Sequence, residues 1–332
     1  MDVGIGVIGV GVMGGAHAGL FAGEVKNAVL VAAADRNREA ASKAAGNGLI
    51  FSSGEDLIAH SSVEAILIAS PDQSHFELVS ACLEAGKPVL CEKPLAATAS
   101  EAFELVSLET ATGKDLIRVG FMRRFDPAYR ALKKTLLDGD LGEPRILHNQ
   151  HRNAAAPAWF SSDMALTNAA VHEFDISRWL LETEFTRGRI ASSPKMGDLS
   201  AGDPILLTCE TERGTIVSTE VFMNAGYGYD VRCEIVGSLG TASMAQPDLI
   251  RRRRDLAERG TFPDNWIPRF REAYRLQDQA WIDGLTHGLQ NDVANAWDGF
   301  IATFVAEGFI RSLSAEAPVD LKAPARPTHL GS

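Results

Sequence analysis

The first 120 residues alternate short apolar runs with stretches of helical spacing. The runs are Val3–Ile8, Val29–Ala34, Ala65–Ala69, Pro88–Cys91 and Leu116–Gly120, with helical patterns such as Ser74–Ala85 and Ser100–Thr112 between them. These runs are continuously apolar, as expected of strands buried on both faces. Strand–helix alternation of this kind predicts an α/β domain on a doubly wound parallel sheet. The pattern changes after a helical stretch at Pro127–Leu137. A strand is expected near Arg145–His151, a helix over Met164–Leu181, then strands at Ile205–Thr211, Thr215–Asn224, Tyr229–Val236 and Thr241–Met244. Glu212-Arg213-Gly214 and Gly237-Ser238-Leu239-Gly240 read as hairpin turns, which makes these strands an antiparallel sheet in an α+β domain. A last helix is expected over Ala296–Leu313, and a loose tail with Pro324 and Pro327 over Ala323–Ser332. The domains predicted are 1–122 and 123–332.

The length of 332 residues suits two domains of about 150 each. Lys and Arg number 32 against 43 Asp and Glu, a net charge of −11, which argues against a nucleic-acid partner. No apolar run approaches the roughly 20 residues that span a bilayer, so no membrane partner is expected, and Met1-Asp2-Val3 has no basic region, so no signal peptide is expected. Four scattered cysteines without a CxxC pair suit free thiols in a reducing, cytoplasmic compartment. The run Arg251-Arg252-Arg253-Arg254, followed by Asp255 and Glu258, reads as a solvated or subunit-contacting helix face. No metal is expected: His148 and His151 have no third ligand near them, and His172-Glu173 meets Ile176 where a second histidine would be needed. Trp159, Trp179, Trp266, Trp281 and Trp297 read as core or interface aromatics.

Gly9-Val10-Gly11-Val12-Met13-Gly14 is a GxGxxG that follows a strand pattern and opens a helix pattern. Glycines there allow a tight turn and let the backbone approach a pyrophosphate, which the free N–H groups of the helix N-terminus attract. Asp35 ends the second strand, 21 residues after Gly14, where a carboxylate accepts hydrogen bonds from ribose hydroxyls. It would repel a 2′-phosphate, so the expected cofactor is NAD rather than NADP. Arg36 could bind that phosphate if turned inward; its other reading is a solvated surface arginine. Cys91-Glu92-Lys93-Pro94 ends the fourth strand. A lysine at the C-terminal end of a parallel strand faces the ligand crevice, so Lys93 can reach a substrate over the nicotinamide. The alternative is a structural Glu92–Lys93 surface pair.

These motifs together resemble the Gfo/Idh/MocA oxidoreductase family: GxGxxG, Asp35, Ser70-Pro71-Asp72 with His75, and Glu92-Lys93-Pro94. The resemblance extends through Phe121-Met122-Arg123-Arg124-Phe125-Asp126, His151-Arg152-Asn153, His172-Glu173-Phe174-Asp175 and Tyr227-Gly228-Tyr229-Asp230. There it is strongest to the inositol dehydrogenases of that family. It implies a Rossmann domain plus an α+β domain with a large open sheet, often assembled as homodimers or homotetramers through that sheet. It also implies oxidation of one ring hydroxyl of myo-inositol, or of another inositol isomer or pyranose, with NAD. Ser70, Pro71, His75 and Glu92 would join Gly9, Gly11, Val12, Met13, Gly14, Asp35, Arg36 and Lys93 around the coenzyme.

By the same resemblance, the proton-handling set is Lys93, Asn168 and His172. His172 takes the hydroxyl proton and Lys93 stabilises charge on the reacting oxygen. Asn168 and His172, four apart on one predicted helix, would share a face. The family has an acid at 168, and this chain has an amide. An amide cannot offset an imidazolium charge, so the sequence leaves open impaired turnover, altered chemistry or a dinucleotide- and sugar-binding protein with weak activity. Met122, Arg123, His151, Asn153 and Tyr229 are the candidate polyol contacts by position, with Tyr227 ranked below Tyr229. Surface charge, sheet-face and packing readings remain for Arg123, for His151 and Asn153, and for Tyr229.

Overall fold

A computed structural model describes residues 2–157, 159–193, 203–245, 252–289 and 291–328. The chain divides into two compact units. Unit 1 holds residues 1–125, 273–304 and the described residues of 323–332; unit 2 holds 126–272 and 305–322. The first division falls after Phe125, not at 122. A single boundary also misses the return of the chain to unit 1, where the short strand Ala294–Asn295 pairs antiparallel with Arg118 and Val119.

Unit 1 is built from β1 (Val3–Ile8), α1 (Val12–Phe21), β2 (Ala28–Ala34), α2 (Arg38–Ala45), β3 (Leu49–Phe51), α3 (Gly54–Ala59), β4 (Ala65–Ile68), α4 (His75–Glu84), β5 (Val89–Cys91), α5 (Ala99–Thr112) and β6 (Ile117–Val119). The strand order β6-β5-β4-β1-β2-β3 is parallel throughout. Ile5, Val7, Ile66, Leu67 and Ile68 are fully buried, as their continuous apolar runs require. The strand order reverses between β1 and β4, and ligands of such sheets bind at that switch point beyond the carboxyl ends of the strands. The sequence reading lacked β3. It is three residues long at the sheet edge, and Leu49 and Ile50 remain exposed, so it leaves no buried-strand pattern.

Unit 2 contains α6 (Pro127–Leu137), β7 (Pro144–Arg152), the short helix α7 (Ser162–Met164), a π-helical segment Ala165–Ala170, α8 (Val171–Leu181), β8 (Phe185–Ser192), β9 (Ile205–Thr211), β10 (Ile216–Phe222), β11 (Asp230–Gly237) and β12 (Thr241–Ser243). Its main sheet runs β12-β11-β7-β10-β9-β8 and ends on the short strand Val319–Asp320. Among the described residues, only the β7–β10 pair of this sheet is parallel. Inward residues alternate along β9, so one face of the sheet is covered. Phe174 of α8 stacks on Phe309 at 5.5 Å and meets the edge of Phe185 at 6.3 Å.

Two expectations for the second half differ from the structure. The helix expected over Met164–Leu181 is interrupted, because 165–170 hydrogen-bonds in the wider π pattern before α8 begins. The arginine run is not a helix: Arg252–Arg254 is a strand paired with Ala257–Arg259, with Arg253 bound to Glu258 at 2.9 Å, and Arg251 lies outside the described residues. In that hairpin Arg253 stands opposite Glu258, Arg252 opposite Arg259 and Arg254 opposite Ala257. Trp159 is 70% exposed, which leaves the interface part of its expected role.

Candidate active site

In unit 1 the glycines do three different things. Gly9 has φ +80, and a Cβ there would fall 2.5 Å from the Ser70 nitrogen. A Cβ on Gly14 would fall 1.7 Å from the Gly9 carbonyl oxygen, so this glycine permits the close packing of α1 on β1. Gly11 is the N-cap of α1 and its Cβ position meets no atom within 4 Å. The opening turn of α1 has no side-chain cap and no acidic residue. Its orphan N–H groups therefore face a cradle without side chains, which fits an anionic pyrophosphate.

A cavity of about 980 Å³ opens beside that turn, lined by Gly9, Gly11, Asp35, Arg36, Ser70 and Pro71 among others. The Asp35 carboxylate is fixed by two backbone donors, Val10 N–H at 2.9 Å and Asn37 N–H at 2.8 Å. It is thereby held at the end of β2, where a ribose would meet it. Arg36 lines the same cavity but is exposed. Val12 is 65% exposed at the start of α1, and Met13 follows it. His75 is 1% exposed, with Nδ1 2.7 Å from the Pro94 carbonyl and Nε2 2.9 Å from the Ser70 carbonyl. Its ring ties the turn after β4 to the turn after β5.

The Glu92 carboxylate does not form the surface pair considered for it. It is 6% exposed; Oε1 lies 3.0 Å from His17 Nε2, and Oε2 accepts from the Lys93 N–H at 3.3 Å. Burial holds the Lys93 ammonium below the usual lysine range; Glu92 and Asp72 oppose the shift and Arg123 adds to it. Met122 and Arg123 lie on a 3₁₀ turn and are each 1% exposed, which removes the surface-charge reading of Arg123.

Unit 2 brings three predicted residues together. His151, on β7, is 4% exposed, and its Nδ1 lies 3.1 Å from Glu173 Oε2. The His172 ring lies 6.5 Å from His151, and the Tyr229 ring 6.0 Å from it, edge to face. Asn153 donates to Met223 Sδ at 3.6 Å, and its buried Oδ1 has no protein partner among the described residues. The π segment carries Asn168, whose Oδ1 accepts the Thr167 hydroxyl at 3.0 Å. Between Asn168 and His172 the chain changes from π to α hydrogen bonding, so ideal four-residue spacing does not describe this pair. Tyr227 is engaged elsewhere: its hydroxyl donates to Asp230 at 2.7 Å and accepts from Arg152 at 3.0 Å.

The sequence reading missed His17, Asp278 and Glu173. Glu173 adjoins a proposed proton acceptor, and that adjacency was a usable signal. His17 was visible as the one titratable side chain on an otherwise small and apolar helix. Asp278 is 261 residues from it and gave no local sign.

Residues 3–121 match the model of the oxidoreductase family with an NAD-binding Rossmann fold, and residues 129–243 match the Gfo/Idh/MocA C-terminal domain. The chain belongs to the Gfo/Idh/MocA oxidoreductase family. It is 44% identical to inositol 2-dehydrogenase 1 of Saccharopolyspora erythraea, over 100% of both chains. It is 37% identical to inositol 2-dehydrogenase of Klebsiella pneumoniae over 98% of each. The crystal structure of a Lactobacillus casei myo-inositol dehydrogenase, in complex with NAD(H) and myo-inositol, superposes with a TM-score of 0.94 at 32% identity, covering 99% of each chain. Among the described residues no helix is long and apolar enough to cross a membrane.

Proposed function

We propose that this chain oxidises a ring hydroxyl of myo-inositol, or of a closely related cyclic polyol, to a ketone with NAD. The full-length similarity to the myo-inositol dehydrogenase that binds NAD(H) and myo-inositol carries this reading. The cradle at Gly11 and the fixed Asp35 carboxylate fit a dinucleotide with free ribose hydroxyls. When bound, NAD supplies the acceptor for the hydride that leaves the carbinol carbon.

The chain's own residues handle the remaining steps. Lys93 donates a hydrogen bond to the reacting oxygen and steadies negative charge as the O–H bond weakens. His172 accepts the hydroxyl proton as the carbon–oxygen double bond forms. Arg123, His151, Asn153 and Tyr229 hold the other hydroxyls, with Met122 next to Arg123 on the same turn. A site with several fixed donors and acceptors rejects a ring that lacks one of its hydroxyls. Glu173 fixes the His151 ring for that task. The same resemblance carries assembly as a homodimer or homotetramer through the main sheet of unit 2, where Leu206 and Ile216 are each about half exposed. A cytoplasmic location suits the four buried free cysteines.

Asn168 favours a second reading, a coenzyme- and sugar-binding protein with weak turnover. Its amide cannot neutralise an imidazolium at His172. In an unrelated hydrolytic triad, Asp-to-Asn at the orienting position costs about 10⁴ in kcat. NADH formation from myo-inositol, measured on this chain beside Asn168→Asp, separates the readings. A much faster Asp form supports the dehydrogenase assignment. Equal rates would remove Asn168 from the proton relay. Silence from both, with NAD bound, would move the search to other polyols and pyranoses.

A further inference from the structure

Three ionisable side chains meet in the interior of unit 1. His17 lies on α1, Glu92 follows β5, and Asp278 lies on the helix Trp266–His287; they are 1%, 6% and 0% exposed. His17 Nδ1 is 2.7 Å from Asp278 Oδ2, and Nε2 is 3.0 Å from Glu92 Oε1. Ionised carboxylates only accept hydrogen bonds, so satisfying both with this ring calls for a proton on each nitrogen. Burial alone would push the imidazole down; Asp278 and Glu92 overcome it and hold His17 up at about 10. Burial in turn pushes Asp278 up, against the pull of His17, so the cluster binds its protons as a unit.

Glu92 is fenced in. His17 meets Oε1, the Lys93 N–H meets Oε2, and a Cβ on residue 120 would lie 2.9 Å from Oε1, so Gly120 leaves the space that the carboxylate occupies. The edge of the Tyr274 ring packs on His17 at 5.4 Å, and Asp278 and Glu92 are the charged groups that raise its proton affinity. Lys93 feels Glu92, Asp72 and Arg123. The neighbouring Cys91 thiol is pushed well up by burial and stays neutral.

We propose that His17 is a positioning residue: braced by Asp278, it holds the Glu92 carboxylate in place and so sets the orientation and proton affinity of Lys93. This rests on the reading that Lys93 meets the reacting oxygen. The logic is electrostatic as well as steric. A buried carboxylate beside a lysine favours the ammonium, and a cation behind that carboxylate tempers the effect. His17 therefore offsets part of the Glu92 charge that acts on Lys93. Because α1 also carries the Gly11 cradle at its other end, one helix fixes both the coenzyme turn and the lysine.

The test uses the full chain, His17→Gln, Glu92→Gln and the double variant. Histidine ¹⁵N NMR reads His17, ¹³C NMR of ε-labelled lysine reads Lys93, and steady-state NADH formation from myo-inositol reads kcat and the KM for NAD. His17 is expected as imidazolium at pH 8 in the unaltered chain. Removing that cation raises the Lys93 titration midpoint, and Glu92→Gln lowers it. His17→Gln lowers kcat by about tenfold, equivalent to one decade in a rate, while the KM for NAD stays within about twofold. In the Glu92→Gln background the His17 effect on kcat disappears, as it must if His17 acts through Glu92. A neutral His17 at pH 8, an unmoved lysine midpoint in folded His17→Gln, or a kcat loss undiminished in the Glu92→Gln background overturns the proposal. His17→Asn serves if the glutamine variant does not fold. The NMR arms need no substrate, so a chain that leaves myo-inositol untouched defeats the functional reading alone.

Discussion

His17 in unit 1 meets two carboxylates, Asp278 at 2.7 Å and Glu92 at 3.0 Å; His151 in unit 2 meets the Glu173 carboxylate at 3.1 Å, with the rings of His172 and Tyr229 at 6.5 and 6.0 Å. The first arrangement spends both ring nitrogens on anions inside the core. It makes a fixed cation, suited to holding a neighbour still. The second uses one carboxylate to set the ring's orientation and keeps a second imidazole and a phenol close by, which suits contact with a polyol. A buried histidine is thus a strut or a working group according to what its two nitrogens face, and burial alone does not distinguish them.

The comparison can be broken most severely at His172. If unit 2 carries the proton acceptor, His172→Ala lowers kcat by about 10³, within the usual range for loss of a general base, while NAD binding measured by fluorescence stays within about twofold. A fall in NAD affinity with kcat intact would reverse the roles assigned to the two units. Asn168→Asp should act in the opposite direction, raising kcat by about 10² or more, because a carboxylate stabilises the imidazolium that forms. The effect should be on kcat rather than on the KM for NAD, and rapid-mixing measurement of NADH formation would show it.

The folding ledger of unit 1 gives a third test. His17 has its affinity for a proton raised from the ordinary 6.5 to about 10 in the folded state. Its contribution to stability is therefore fully present below about pH 6.5 and is lost as pH rises through about 10. Asp278→Asn removes one of the two raising carboxylates, so the decline, which starts near pH 6.5 in both chains, is complete at a lower pH. Urea unfolding between pH 6 and 10 should show the variant's stability levelling off earlier than that of the unaltered chain. Breaking such a buried pair in His17→Gln should cost about 3–5 kcal/mol at neutral pH. A pH-independent difference between the unaltered chain and Asp278→Asn would show that His17 is not the titrating strut. The smallest effect is expected at Asp35: Asp35→Ser should shift the NAD-to-NADP preference by about tenfold, a differential of one carboxylate against the 2′-phosphate.

The coenzyme half was legible because it is written in backbone needs. Gly9 must reach φ +80, Gly14 must leave room for the Gly9 carbonyl, and Asp35 must end a strand, so each restricts residue type locally. Lys93 stood out as a candidate for a similar reason, through its place after a strand end. The second half depends on contacts far apart in sequence. His151 and Glu173 meet across 22 residues, and His17 and Asp278 across 261, and neither separation has a period that a sequence reading can follow. The π segment at Ala165–Ala170 looked like ordinary helix because its side chains are helix-compatible; only the hydrogen-bond pattern differs. The Arg252–Arg254 strand was misread because a charged run carries no apolar alternation to mark it. The return of Ala294–Asn295 to the edge of the parallel sheet is too short to signal itself.

The most direct test of the proposed activity is transfer of deuterium from myo-inositol deuterated at its ring carbons to NAD, followed by mass spectrometry of the recovered coenzyme in this chain and in Asn168→Asp. The account predicts deuterium on the nicotinamide in both, accumulating about 10² times faster in the Asp form, the size expected from restoring an orienting carboxylate. Coenzyme that remains unlabelled in both chains, although NAD is bound, would contradict it.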